Sequence, residues 1–598
     1  MHLKPHRCPS SLHTFRCSFL RVTTRVCGLL PIWMVGFGLL AKEFAPYDAD
    51  RFFDTARLVR VDLKMATEDW NKMRVQERSL IKTLRTDLPA KERDRFFEDF
   101  RAELVVDGIS LGSVSVRKKG FVGSLSPDRP SLKIKLDKYD KEKRFAGLQT
   151  LTLNNNRQDP SRLNQVIGYA LFRKAGLLAS RCNLAFVTLN GQPLGIYSNV
   201  ESVDALFFKH RYPQDDGSLW EGTVADFSRD GIPRFEWKFG PQGTAEPLSD
   251  VLAALERADE EVLGALEKVL DVDAFMRFWA MEVLVGHWDG YASNRNNYFI
   301  YYHAAARRLK FIPWGIDQLA EEKNMFWGDP SFVPPKSVKA ATSLTRRLYN
   351  LPAGRERYFA AMRALLKETW NEGELKEQFQ SLHSLLRGYP SKPSDFDGQR
   401  HASLEEFVKT RRVNIEKEIK PPYPEWTLKP FEKIGAIAKV GALDLEFALA
   451  LKKPGAADGK LEEAQGKVQI ALIKDRNPVL FANPTFKIGS EKTPWGGTKW
   501  TVLISRASSG PKDPATVEVT FYTGFPGADP TGKPMRLDAF ASPAQARLLE
   551  PVASGTVPKG LAITAGQLRL MSFDPGKGVV EGKLSGELFA SDQEGEAN

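Results

Sequence analysis

"GHWDGYASNRNNYFIYY", Gly286 to Tyr302, places one acid, Asp289, and three amides, Asn294, Asn296 and Asn297, directly ahead of an aromatic segment with the composition of a strand. Asparagine and aspartate are common in turns because their short side chains hydrogen-bond the neighbouring backbone, so a polar turn is the ordinary reading. The alternative is a loop that holds a phosphate-bound metal and a hydroxyl. The flanking sequence has to decide between them.

At 598 residues the chain is too long for one ordinary core, and about two or three domains are expected. Hydrophobic content of 42% and aromatic content of 11% are those of a globular protein. The first segment, Met1 to Arg25, carries Lys4, Arg7, Arg16, Arg21 and Arg25 without an acid, and the sixteen residues "VCGLLPIWMVGFGLLA" (Val26–Ala41) follow. A basic flank before an apolar run too short for a comfortable bilayer span reads as an export signal or an uncleaved signal anchor over residues 1–42. Removing it takes about five of the formal +11 charges, which weakens any nucleic-acid reading of the basic balance. It also takes Cys8, Cys17 and Cys27, leaving Cys182 without an internal disulfide partner.

Beyond the leader, "RFFDTARLVRVDLKMATEDWNKM" is strand-like and then amphipathic, a charged helix and the strand "RAELVVDG" follow, and "SLGSVSVRKKG" and "SLKIKLDKYD" alternate in the manner of half-buried strands. "TLNNNRQDPSRLNQ" opens a helix running to about Gly176, with Asp159 or Ser161 as N-cap and Pro160 in its first turn. Asn190-Gly191 marks a hairpin turn. Helical pattern covers Val203–His210, Leu248–Val285 and roughly Ser343–Lys420, and "YFIYYH" and "LKFIPWGID" read as two strands. After the proline-rich linker "KPPYPEWTLKP", short alternating runs between Gly, Pro and Asp turns predict an all-β sandwich-like domain over residues 426–598.

The chain has no His-Glu-x-x-His, no Cys-x-x-Cys, no Gly-x-Ser-x-Gly and no Walker loop, and His287 reads as a loop-shaping residue rather than a metal ligand. What it does have is an ordered constellation. Phosphoryl transfer to a hydroxyl needs a carboxylate beside the nucleophile, an amide oxygen and a second carboxylate on the metal, and cations on the phosphates. Protein kinases place an Asp before a short loop, an Asn near the next strand and a metal-binding Asp after the strand that follows. Here Asp289 ends a helical stretch, Asn297 immediately precedes "YFIYY", and Asp317 follows "LKFIPWGI". Asn294 lies at the ordinary kinase interval from Asp289 and rivals Asn297 for the metal position.

The blocks "VRKKGFVGS", "SLKIKLDKY", "LNNNRQDPSRLNQ", "AGLLASRCNLAFVTLNGQPLGIYSNVESVD", "GHWDGYASNRNNYFIYY" and "FIPWGIDQ" resemble, in order, those of the spore-coat protein H (CotH) kinases, over roughly residues 50–420. The resemblance implies an α+β fold: a divergent, protein-kinase-like, two-lobed domain over residues 43–425, with an N-lobe at about 50–200 and a C-lobe at about 201–420. It implies ATP with Mg²⁺ or Mn²⁺ as cofactors, and Ser/Thr hydroxyls of secreted or envelope proteins as substrates. Carried over by position, Asp289 corresponds to the catalytic aspartate, and Asn297, with Asn294 as rival, and Asp317 to the metal side. Lys133 is the first choice for a phosphate-contacting cation. Lys135 shares its face, and Arg117 and Lys119 sit in the basic strand-to-glycine element. Glu201 falls where a hinge meets adenine, with a purely structural hydrogen bond as an equal alternative.

Two departures bear on activity. The family usually writes Trp-Asp-x-Asp where this chain has Trp314-Gly315-Ile316-Asp317, and the helix opening near Ser161 carries no acid to pair with a lysine. The readings are therefore an exported CotH-like kinase and, from another class, a catalytically impaired pseudokinase acting in surface binding, assembly or adhesion. The C-terminal domain is expected to take a polysaccharide or protein, with Trp495 and Trp500 as possible sugar platforms or, more commonly for tryptophan, core residues. Nucleic acid is not expected, and membrane contact is expected only through an uncleaved leader.

Overall fold

A computed structural model describes residues 48–591 except 77, 79–82, 84–96, 122, 214–215, 242–244, 323, 325–326, 328–330, 388, 390–397, 432–436, 453–460, 475, 482, 493–497, 507–515, 524–530, 532–533, 538–543, 550–559 and 575–578. The leader, most of the charged stretch after Arg78, and Trp495 lie outside the described residues. Among those described, no helix is long and apolar enough to cross a membrane.

Seven strands form a closed barrel: β1 (Leu58–Lys64), β2 (Phe100–Val106), β3 (Ile109–Lys119), β4 (Ser131–Lys135), β5 (Thr150–Asn154), β6 (Cys182–Leu189) and β7 (Gln192–Glu201), in the order β1-β2-β3-β4-β5-β7-β6. Neighbours are antiparallel except at the seam, where β6 runs parallel to β1 and pairs Leu184 with Leu58. Alternation fills the interior with Val59, Val61, Leu104, Val114, Val116, Leu132, Ile134, Leu151, Leu153 and Val187, all buried. The same alternation turns Arg117 and Lys119 outward, and register sets Arg117 opposite Lys133, Lys133 opposite Thr152, and Ser115 opposite Lys135. The hairpin turn at Asn190-Gly191 is present, both residues having positive φ.

Helix α1 (Asn164–Lys174) starts later than the sequence suggests. Asp159 and Ser161 lie in the turn ahead of it, where the Asp159 carboxylate accepts the Asn164 N–H at 2.9 Å, so Pro160 precedes the helix instead of occupying its first turn. Gly168 of α1 lets Ile316 and Leu319 come close, since a β-carbon there would lie 2.7 Å and 2.8 Å from their side chains.

Four strands make a second, antiparallel sheet: β8 (Ser218–Gly222), β9 (Glu236–Phe239), β10 (Tyr298–His303) and β11 (Arg308–Pro313), in the order β11-β10-β8-β9. Against it lies α2 (Val272–Leu284), buried at ten positions including Phe275, Phe278, Trp279 and, unexpectedly for an acid, Glu282. Helices at Ser343–Asn350, Pro352–Glu368, Glu372–Arg387 and Gly398–Glu416 complete this helical part. Its core is continuous with α1 through Tyr169, Leu171 and Phe172.

The C-terminal strands are β12 (Ile437–Leu451), β13 (Leu461–Lys474), β14 (Asn477–Val479), β15 (Thr485–Lys492), β16 (Thr498–Ser505), β17 (Thr516–Thr523), β18 (Pro534–Leu537), β19 (Ala544–Leu549), β20 (Gly560–Asp574) and β21 (Val579–Ser591). The expected sandwich of two sheets is corrected here to one sheet, in which β12 pairs along its length with both β21 and β13 and so joins the two sides into a ring. Alternation reports that one strand face is buried, but it is silent on where sheet edges meet, which is why a sandwich and a ring read alike in sequence. Trp500 is 7% exposed in this core and stands edge-on to Phe573, so it is no sugar platform.

Candidate active site

α2 ends at Leu284, and the chain reverses through Gly286 at φ +66°, a left-handed value that glycine reaches without strain. The reversal brings Asp289 back toward the start of β10. There Asn297 donates to Asp289 Oδ2 at 2.7 Å, Asn296 donates at 3.2 Å to Oδ1 and 3.3 Å to Oδ2, and Asn294 donates to Oδ1. Asn294 and Asn297, rivals in the sequence, thus both hold the acid, together with Asn296, which was in plain view but had been assigned no role. Asn294 also accepts from Asn324 at 3.2 Å, which ties it away from the cleft.

Asp289 is half-buried. Desolvation pushes its carboxyl up to about 6, against the pull of the three amides on its charged form. Asp317 is also half-buried and raised to about 7, first by desolvation and then by the like charges of Asp289 and Asp159, with Lys119 pulling the other way. Asp289, Asp159 and Lys119 therefore lie within electrostatic reach of Asp317. Asn164 of α1 fixes the segment by donating to the Asp317 carbonyl at 2.8 Å. Among the described residues, no cluster of three or more His, Cys, Asp or Glu side chains is arranged to hold a metal ion.

Lys119 donates to Asn154, lies 5.3 Å from the centre of the Trp314 ring, and is lowered to about 8 by burial, with Glu221 and Asp317 acting to restore it. Lys119 is thus a cation that acts on Asp317. Lys133 is lowered to about 8 by burial and by Arg117, against the opposing pull of Asp204, the cap of the Ala205–Arg211 helix. The Arg117 Nε is buried without a hydrogen-bond partner among the described residues. Lys135 lies toward Asp99 at the far end of the same face.

Glu201 is the structural alternative realised. Arg181 binds it at 2.7 Å and Arg211 at 3.1 Å, the Arg181 N–H adds a 3.0 Å bond, and the arginines keep the carboxyl below its usual range despite burial. Its carboxylate is not available to a ligand.

Gly315 has φ +53°, and a β-carbon there would lie 2.4 Å from Asn297 Oδ1. The Asn297 amide fills the space that the family's usual aspartate would need. His287 is buried beside the Gly315 backbone and pushed down to about 3 by desolvation, so it is neutral and shapes the loop. Sequence reasoning missed Asp159, Asn154 and Glu221, whose nearness to Asp317 and Lys119 depends on the packing of separate elements. It also missed Glu282, for which an acid inside "FWAMEVLV" was an available signal.

The family model described as CotH kinase protein matches residues 116–416, just over half of the chain. Among curated proteins, the chain is 24% identical over 246 residues to spore coat protein homolog 1 of Rhizopus delemar, covering 38% of this chain and 40% of that protein's length. It is 23% identical over 272 residues to inner spore coat protein H of Bacillus subtilis, covering 43% of this chain and 74% of the relative. It is 27% identical over 278 residues to the inner spore coat protein H-like protein of the same organism, covering 46% and 77%. Among solved structures, the Helicobacter pylori proinflammatory kinase CtkA aligns at 8% identity and a TM-score of 0.26, covering 48% of this chain and 91% of that one.

Proposed function

The chain belongs to the CotH kinase protein family, and from that premise we propose that it is a protein kinase that transfers phosphate from ATP to serine or threonine hydroxyls. The observation that supports this reading is that Asp289, bound by three amides, lies within electrostatic reach of Asp317, as does Lys119. The donor set, the Asp317 carboxylate and the Asn297 amide oxygen, is of the oxygen type that divalent cations take, and a cation there would offset the desolvation and the like charges that raise Asp317. Asp317 and Asn297 Oδ1 are the residues that would hold Mg²⁺ or Mn²⁺. When bound, the metal supplies charge neutralisation on the ATP phosphates. Asp289 orients the attacking hydroxyl and accepts its proton, while Lys119, Arg117 and Lys133 face the phosphates from the barrel wall.

That its relatives are named spore coat proteins supports a substrate among envelope or extracellular proteins and an exported location for this chain. The C-terminal sheet is proposed to bind a polysaccharide or a protein. A second reading, the pseudokinase, is favoured by one observation: Asn297 occupies the space beside Gly315 that an aspartate would fill. Transfer from labelled ATP with manganese separates the two. We expect transfer by the wild type and a loss of about a hundredfold or more in Asp289→Ala and Asp317→Ala. Absence of transfer, together with no nucleotide-induced thermal shift, overturns the kinase reading, and transfer surviving Asp289→Ala overturns the site.

A further inference from the structure

Glu282 grips the loop that carries Asp289 from both sides. Its backbone carbonyl, at the end of α2, accepts the His287 N–H at 2.9 Å. Its carboxylate accepts the Tyr291 N–H at 2.9 Å on Oε1 and the Ala292 N–H at 2.9 Å on Oε2. The side chain is 1% exposed, so these bonds are made in the buried interior, where leaving an amide unpaired is costly. Gly290, the residue between Asp289 and the first gripped amide, has an unstrained φ of −82°. Its lack of a side chain has a spatial cause, since a β-carbon would lie 2.4 Å from Glu282 Oε1 and 2.8 Å from His287 Nδ1.

We propose that Glu282 is a positioning residue for Asp289, and that Glu282 and Gly290 act as one unit: the carboxylate holds the loop by its amides, and the glycine leaves the room it needs. The three bonds bracket Asp289 by two residues upstream and by two and three downstream. They leave its carboxylate free to meet the amides of Asn294, Asn296 and Asn297. Glutamine at 282 keeps the shape but offers one acceptor and one N–H₂ to two backbone donors, so one bond is lost and a donor faces a donor. Such a change moves the loop by a fraction of an ångström while the helix and core stay in place.

The inference rests on the kinase reading for its catalytic readout and is independent of it for its structural one. In Glu282→Gln, kcat is expected to fall about a hundredfold with KM for ATP within about twofold, and amide exchange at Tyr291 and Ala292 to accelerate while α2 stays protected. Gly290→Ala is expected to reproduce the fall in kcat in the wild-type background and to cost several-fold less in Glu282→Ala, where the carboxylate oxygen at 2.4 Å is gone and the His287 ring at 2.8 Å is the obstruction left. The proposal is overturned if Glu282→Gln keeps wild-type kcat, or if Gly290→Ala costs as much with Glu282 absent as with it present. Should Glu282→Gln fail to fold, Gly290→Ala decides by the same kcat and exchange measurements. If the wild type transfers no phosphate, the kinase reading falls, and unchanged exchange at Tyr291 and Ala292 in Gly290→Ala overturns the positioning role separately.

Discussion

Asp289 and Asp317 hold their protons above the ordinary carboxyl range, to about 6 and about 7, which makes them a cost to the folded protein once they ionise. The sign follows from proton binding. A carboxyl raised above its unfolded value, roughly 4, binds protons more tightly in the folded state, so stability falls as pH rises from about 4 to about 7 and stays low above that. Asp317→Asn is therefore expected to gain stability at pH 8 relative to pH 5, on the order of 1–2 kcal/mol after discounting for partial solvent contact, while losing phosphate transfer. Thermal denaturation at the two pH values, without divalent metal, checks this, and equal shifts at both would refute it. At this scale the sequence was partly legible. The order of Asp289, Asn297 and Asp317 was readable because each sits beside an element end: after α2, before β10 and after β11. The steric exchange between Gly315 and Asn297 was not, because it depends on a left-handed backbone value and on where an amide from another strand points.

Elements meet at Glu201, the last residue of β7, which joins the Arg181 turn before β6 to the Ala205–Arg211 helix. Its carboxylate is 1% exposed and its two arginine partners about a quarter exposed, so removing its charge leaves two cations facing a buried amide. Glu201→Gln is expected to cost about 3 kcal/mol of stability and to leave the nucleotide-induced thermal shift unchanged. A lost nucleotide shift at unchanged stability would return Glu201 to the adenine site. Strand alternation and the Asn-Gly turn made β1 to β7 readable as individual strands. The outward row of Arg117, Lys119 and Lys133 was readable only as separate residues, since their common face is set by cross-strand register and not by spacing along the chain.

For the whole molecule, the C-terminal sheet has a buried cluster of its own, whereas the cluster of the helical part takes in Leu58 and Leu184 of the barrel, and the family match ends before the C-terminal sheet. Trp500→Ala is expected to cost about 3–5 kcal/mol in the unfolding of the C-terminal sheet and to leave phosphate transfer at the wild-type level, as measured by calorimetry beside the transfer assay. A parallel loss of transfer would mean that this sheet supports the cleft. The change of texture after "KPPYPEWTLKP" marked where the strand-rich part begins, because proline and alternation are local signals. Ring closure by β12 was hidden because it joins segments distant in sequence. The seam of the barrel carries a related consequence, for the order in which the molecule is made. Leu58 finds its partner only at Leu184, so the first strand emerges long before the strand that covers its open edge. Until β6 has been synthesised and laid alongside it, β1 presents unpaired backbone to any neighbour, and the slowest event in assembly is expected to be the closing of that seam.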